Sequence, residues 1–205
     1  MDAQLQNWDK FSKYHVNCDW YGIWYRYSPD GELIESLEGV RSLHANEDGS
    51  EVTHQNHYHY QDGRTETKTF GPYKKPNIRA LFLDNSFSAG SPQIKIGSFF
   101  GFETGFRYEN RRIEAIVVYN ESGNLQKITF IDEKLVNFPK ATTNLPAQEV
   151  NNNWQGISKT ITSDWIISKP AVKEWKNLET LAEDNQILHF SNNVSISFPQ
   201  KIVSD

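Results

Sequence analysis

The sequence predicts an all-β fold, an antiparallel up-and-down β-barrel with a short N-terminal helix and extra C-terminal strands. Three observations predict it. Turns built on Asp-Gly or Ser-Gly recur along the first two thirds of the chain: SPDGE at 28–32, NEDGS at 46–50, QDGR at 61–64 and NESGN at 120–124. Their glycines accept the positive φ that a tight hairpin turn needs. Between them lie strand-forming runs at 20–27, 33–44, 51–60, 64–70, 78–83, 94–109, 111–119 and 125–134. No helix-length segment separates these runs, which excludes a βαβ fold. Sequential antiparallel strands close most economically into a barrel, because closure removes exposed edges. A two-sheet sandwich, with its longer crossing connections, ranks second.

The elements follow in order. Leu5, Trp8, Phe11 and Val16 fall near helical spacing with polar residues between them, so residues 4–16 form an amphipathic helix across one end. The first strand carries Trp20, Tyr21, Trp24, Tyr25 and Tyr27. Aromatics on both of its faces mean a strand covered on both sides. The run IKIGSFFGFETGFRYE (94–109) interleaves Gly97, Gly101 and Gly105 with Phe99, Phe100, Phe102 and Phe106. Glycines there let a strand bend or let a ligand approach the backbone, so a bent core strand and a pocket wall both fit. Glu103 and Arg107 share a parity and are expected to form a solvent-facing ion pair.

In the hairpin 111–134, Ile113, Ala115, Val117 and Tyr119 make an apolar stripe expected to face inward, with Glu114 on the other parity. Asp132 and Glu133 point to opposite faces, so one carboxylate looks inward. Burial would raise its pKa and fit it for general acid chemistry; a partner such as Arg26 or Arg79 is the alternative. Residues 1–136 therefore hold the helix and barrel strands, and the proline- and asparagine-containing stretch 137–152 reads as a loop or linker. Residues 153–205 supply strands that complete the barrel or form part of a second sheet. There Trp154-Gln155-Gly156 echoes Trp20-Tyr21-Gly22, and ILHF (187–190) and VSISF (194–198) read as strands.

Composition narrows the function. The net charge of −5 and the lack of a long basic cluster argue against nucleic acid as a partner. No long apolar stretch encodes a membrane span, and the N-terminus lacks an apolar signal core. Together with a single cysteine, Cys18, this points to a reducing cytoplasm. Cys18 has no recognisable motif around it and reads as a small residue at a helix-to-strand junction. No phosphate loop, dinucleotide fingerprint or nucleophile elbow occurs, so no cofactor is expected and no catalytic residue can be named.

The stretch HQNHYHY (54–60) is the most conspicuous polar cluster. On a strand, His57 and His59 share a face about 7 Å apart, with His54 opposite. Three readings stay open: ordinary strand residues, hydrogen-bond donors lining a pocket, or the start of a metal site. No third ligand at suitable spacing is visible, so no metal is expected.

Gly22-Ile23-Trp24, on the first strand after a short helix, resembles the pattern of the calycin superfamily, which includes lipocalins and fatty-acid-binding proteins. That resemblance implies that Gly22 and Trp24 point inward as the barrel floor, while Tyr21, Tyr25 and Tyr27 meet the N-terminal helix. Longer stretches, WYGIWYRYSPDGELIES and RRIEAIVVYNESGNLQKITFIDE, resemble a cyanobacterial and plastid lipocalin-like family of unknown function over residues 1–135. The same superfamily contains the S-type phycobilin lyases. The resemblance implies a barrel with an internal pocket and no established activity.

The function expected first is binding of a small, mostly apolar molecule, aromatic, polyene or tetrapyrrole-like. Trp24, His57, His59, Phe100, Phe102 and Tyr119 are the expected lining: rings supply stacking area and histidines fix orientation. The alternatives are an enzyme on the same scaffold, either a bilin lyase-like chaperone or a cofactor-free cyclase or isomerase, and a filled barrel with an interaction role.

Overall fold

The computed structural model describes residues 2–91, 94–145, 154–162, 165–175, 184–192 and 194–203. Helix α1 (Ala3–His15) opens the chain, with the Asp2 carboxylate accepting from the Gln4 backbone N–H as its cap. Nine strands follow: β1 (Cys18–Tyr27), β2 (Leu33–Ala45), β3 (Glu51–His59), β4 (Thr65–Lys74), β5 (Leu81–Leu83), β6 (Ser86–Gly90), β7 (Phe100–Tyr108), β8 (Arg111–Tyr119) and β9 (Leu125–Lys134). They form one antiparallel sheet in the order β4-β3-β2-β1-β9-β8-β7-β6-β5, and the sheet curls into a half-barrel. The first and last strands pair with each other, β1 against β9, so the sheet's free edges are β4 and β5, in mid-sequence. All four Asp-Gly and Ser-Gly turns carry their glycine at positive φ, as the sequence predicts. Within this sheet β6 is the strand the sequence did not announce, because SFSAG is short and holds no β-branched residue.

Two small sheets follow: β10 (Asn144–Leu145) with β13 (Asn185–Phe190) and β14 (Val194–Pro199), and β11 (Trp154–Ser158) with β12 (Ala171–Trp175). Of the stretch expected to be a linker, residues 146–152 lie outside the described residues. The hairpin β13–β14 stays out of the nine-stranded sheet and packs on its convex face. There Phe190 stacks on Phe130 with ring centroids 3.9 Å apart, and the Tyr119 hydroxyl donates to the Pro199 carbonyl at 2.9 Å. Tyr25, Tyr27, Phe100, Val117, Ile128 and Leu188 complete this core.

The sheet therefore has two apolar faces, and this corrects two expectations. Tyr25 and Tyr27 pack in the core beneath the C-terminal hairpin, while Tyr21 meets Phe138 edge-on; none of them meets α1. Val117 and Tyr119 of the stripe Ile113, Ala115, Val117 and Tyr119 lie in this convex core, with Ile113 packed against it, while Glu114 faces into the half-barrel. The parity was right and the side was inverted, because an apolar stripe marks a covered face without saying what covers it.

The concave face is filled in layers. At one end Trp24 packs with Leu37, Tyr58 and Ile131. At the other, α1 presses Trp8 and Phe11 against Trp20, Leu43, Val52, Ile78 and Phe82. The helix is pinned by Asn7, whose amide donates to the Ala80 carbonyl at 2.9 Å and accepts from the Phe82 N–H at 2.7 Å. Gly22 and Gly39 face each other across β1 and β2, beside the Trp24 ring. A Cβ on Gly22 would lie 2.5 Å from Glu133 Cγ, and one on Gly39 would lie 2.8 Å from Trp24 and 3.0 Å from the His57 carbonyl. Only glycine leaves room for the indole.

Two substitutions test this packing by urea unfolding. Trp24→Ala is expected to cost about 3–5 kcal/mol, the range for removing a large buried ring. Gly39→Ala, which adds a single carbon, is expected to cost about 1–3 kcal/mol through overpacking. Midpoints equal to wild type would contradict the placement of the indole.

Candidate functional site

Between the Trp24 layer and the helix layer lies a set of buried charges. Arg41 on β2, Arg112 and Glu114 on β8, and Glu133 on β9 are all buried and all point into the concave face. Strand pairing sets them side by side: Arg112 is directly opposite Glu133. The Arg41 guanidinium grips Glu114 with two hydrogen bonds, 2.5 Å and 2.8 Å, and reaches Glu133 at 3.3 Å. Arg112 donates to Glu133 at 2.7 Å and lies 3.2 Å from Glu114. Trp20 and Trp24 enclose the layer, with Arg112 over the Trp20 ring at 4.6 Å and Arg41 over the Trp24 ring at 5.7 Å.

A cavity of ≈ 470 Å³ opens above this layer. Its apolar wall comes from Phe11, Leu43, Ile78, Phe82, Phe87 and Ala89, and its polar wall from His15, Arg41, His54, Tyr73, Glu103 and Arg112. Residues 75–80 cross from β4 to β5 and supply Asn77, Ile78, Arg79 and Ala80 to the rim. β4 and β5 are not hydrogen-bonded to each other, so the cavity sits where the sheet fails to close.

The polar groups are held in defined states. Although burial pushes the Glu114 carboxyl up, Arg41 and Arg112 outweigh it and hold the group down at about 2. Burial pushes Glu133 up, against the pull of Arg112 and Arg41. Glu103, on β7, is raised to about 7, first by burial and then by the neighbouring Glu114 carboxylate. Two neighbouring buried carboxyls do not both ionise readily, and the arginines keep the charge on Glu114 and leave the proton to Glu103. Burial, then Arg112, lowers His15 to about 3; burial, then Arg41, lowers His54 to about 4. Both imidazoles are neutral at physiological pH.

His54 is fixed by its neighbours. Its Nε2 donates to Asn56 Oδ1 and its Nδ1 accepts from the Tyr73 hydroxyl, each at 2.9 Å, with Phe70 stacked at 4.7 Å. His15 differs. Arg112 approaches its Nδ1 at 3.4 Å, while its Nε2 is buried at the cavity wall with no hydrogen-bond partner among the described residues. Among the described residues no three His, Cys, Asp or Glu side chains converge to hold a metal.

None of the six residues expected to line a pocket touches this cavity. Trp24 is on the concave face, within the packed layer at its far end. His57 and His59 are on the outer face of β3, where His57 bonds the Thr67 hydroxyl at 2.9 Å; His54, their opposite in parity, is the histidine that faces the cavity. Phe100, Phe102 and Tyr119 are brought together, with Phe100 and Tyr119 stacked at 5.2 Å, under the C-terminal hairpin. Of the two carboxylates at the end of β9, Glu133 turns inward to Arg41 and Arg112, and Asp132 turns outward to Arg111 and Asn192. Glu103 and Arg107 do not pair; Arg107 bonds the Tyr14 and Glu109 carbonyls. Of the charged layer the sequence reading named Glu114 and placed one of Asp132 and Glu133 inward, but missed Arg41 and Arg112, whose one signal is strand parity: Arg41 shares it with Leu37 and Leu43, and Arg112 shares it with Glu114.

The states assigned to Glu103 predict a pH signature. A carboxyl raised in the folded state contributes stability fully below its unfolded value, about 4.5, and loses it as pH rises through about 7. His15 and His54 act with the opposite sign below about 6.5, so the test is a difference. The stability of wild type relative to Glu103→Gln is expected to fall by on the order of 2 kcal/mol between about pH 4.5 and 7.5, then level off. A pH-independent difference would contradict the assignment.

No curated protein matches the chain. Among solved structures, a protein of unknown function from the DUF3598 family of Nostoc punctiforme superposes with a TM-score of 0.66 at 20% identity, over 96% of this chain and 83% of that one. The S-type phycobiliprotein lyase CPES of Guillardia theta superposes with a TM-score of 0.44 at 9% identity, over 66% of this chain and 96% of that one. The first likeness shows a shared fold. The model for the N-terminal domain of unknown function DUF3598 matches residues 4–138, the helix and the whole nine-stranded sheet, and the chain therefore belongs to the DUF3598 family.

Proposed function

We propose that the chain binds a small, mostly apolar molecule in the cavity between α1 and the charged layer. The observation that carries this reading is the cavity itself, together with the buried, unpartnered Nε2 of His15 at its wall. A volume of ≈ 470 Å³ is that of a small-molecule site, and its lining, mostly apolar with a few convergent polar groups, is the usual composition of one. Buried N–H groups in native proteins nearly always have a partner, and a ligand acceptor would supply it. The ring surfaces of Phe11, Phe82 and Phe87 suit an aromatic, polyene or tetrapyrrole-like body. In this reading the lining role passes from the six residues expected in sequence to the cavity residues. A second reading, catalysis in the same cavity, is favoured by Glu103 alone, whose pKa of about 7 suits a general acid or base near neutral pH.

Native mass spectrometry of protein purified from the cells that make it tests the proposal. A retained molecule is expected on wild type and not on Ala89→Trp, which fills the cavity from its wall. An equal load on both proteins, or none on wild type, would count against binding at this site.

A further inference from the structure

We infer that the molecule bound in this cavity carries one cationic nitrogen on its apolar body, and that Glu103 is the counter-ion that receives it. The inference rests on the binding reading above and deepens it. It follows from the charges that line the cavity and those paired with them. From β2 comes Arg41, from β8 Arg112 and Glu114, and from β9 Glu133, and these four are ion-paired with one another. Two guanidinium groups and two carboxylates balance, and neither arginine is left to receive an anion. From α1 comes His15 and from β3 His54, both neutral at physiological pH. From β4 comes Tyr73, a phenol whose pKa burial raises further. Further along β7 Arg107 is engaged with the Tyr14 and Glu109 carbonyls, and at the rim stands Arg79, exposed to solvent.

Within the cavity wall Glu103 is the residue outside that balance, while Arg79, which forms no ion pair among the described residues either, stands exposed at the rim. Glu103 lines the cavity and forms no ion pair among the described residues. Its position is fixed: Ala89 opposes it on β6 and Ile116 on β8, so its carboxyl projects from the wall beside Glu114. Once ionised it gives the interior one uncompensated negative charge, which a ligand cation would neutralise. An ammonium or protonated ring nitrogen would replace the proton Glu103 otherwise keeps, forming a charge-assisted hydrogen bond in a desolvated site. An anionic head would meet an acid and a carboxylate instead. Selectivity by charge sign therefore comes from one residue, while the rings of Phe11, Phe82 and Phe87 take the apolar body.

A matched probe set tests this: tryptamine, skatole and indoleacetate share an indole and differ in carrying a cationic, neutral or anionic group. Binding is followed by amide NMR shifts, with Ala89→Trp identifying signals that come from the cavity. Tryptamine is expected to bind about tenfold more tightly than skatole at about pH 8, a margin one charge-assisted bond supplies. The margin should shrink below about twofold at about pH 5.5, where Glu103 is protonated, and in Glu103→Gln at either pH. Should Glu103→Gln fail to fold, the wild-type ratio at the two pH values decides alone. Equal binding of all three probes, or preference for indoleacetate, overturns the inference and leaves the cavity reading standing. No cavity binding by any probe overturns both.

Discussion

The structure depends on keeping four charges inside a half-barrel. Arg41, Arg112, Glu114 and Glu133 are almost completely removed from water, and desolvating such groups costs several kcal/mol each unless every one is paired. The pairing demands an antiparallel register that puts Arg112 opposite Glu133 and curvature that brings Arg41 across to Glu114, residues 73 apart in sequence. The layer also explains its surroundings. Trp20 and Trp24 present ring faces to the guanidinium groups and shut out water, and the glycine pair on β1 and β2 clears the space for Trp24. Such a network is weak as a source of net stability, yet losing one member leaves an orphaned charge, at a cost of about 3–5 kcal/mol. That asymmetry ties strand register to a single arrangement.

The same layer divides the interior in two. On the Trp24 side the packing is apolar and closed; on the helix side the sheet stays open between β4 and β5, and the cavity forms there. Helix α1 covers the opening, and Asn7 bonds the backbone at β5, which would otherwise expose an edge. Glu103 projects from β7 at the boundary of the charged layer and the cavity, and takes its properties from both. Burial comes from the wall around it and repulsion from Glu114.

What the sequence revealed was local. The Asp-Gly and Ser-Gly turns, the eight runs between them and the helix with Trp8 and Phe11 on one face were legible because each rests on neighbours in the chain. The family resemblance implied that Gly22 and Trp24 face inward, and parity placed one of Asp132 and Glu133 inward. What was not legible was which cover lay on which face. Alternation places Ile113, Val117 and Tyr119 on one side of β8 and Arg112 and Glu114 on the other, but the assumption of a single core assigns the apolar side to the barrel interior. The hairpin of Leu188 and Phe190, more than 60 residues further on, covers that side instead, and the charges turn inward to one another. The histidine cluster misled for the same reason: His54, read as the odd one out, faces the cavity, while His57 and His59 face outward.

The charged layer sorts its carboxyls, holding Glu114 ionised and leaving a proton on Glu103. Carbon-13 NMR of the side-chain carboxyls, titrated with pH, reads this directly. Glu103 is predicted to titrate near about 7, far above the ordinary 4.5, while Glu114 stays ionised down to about 2. Both groups titrating together near the ordinary 4.5 would contradict the account.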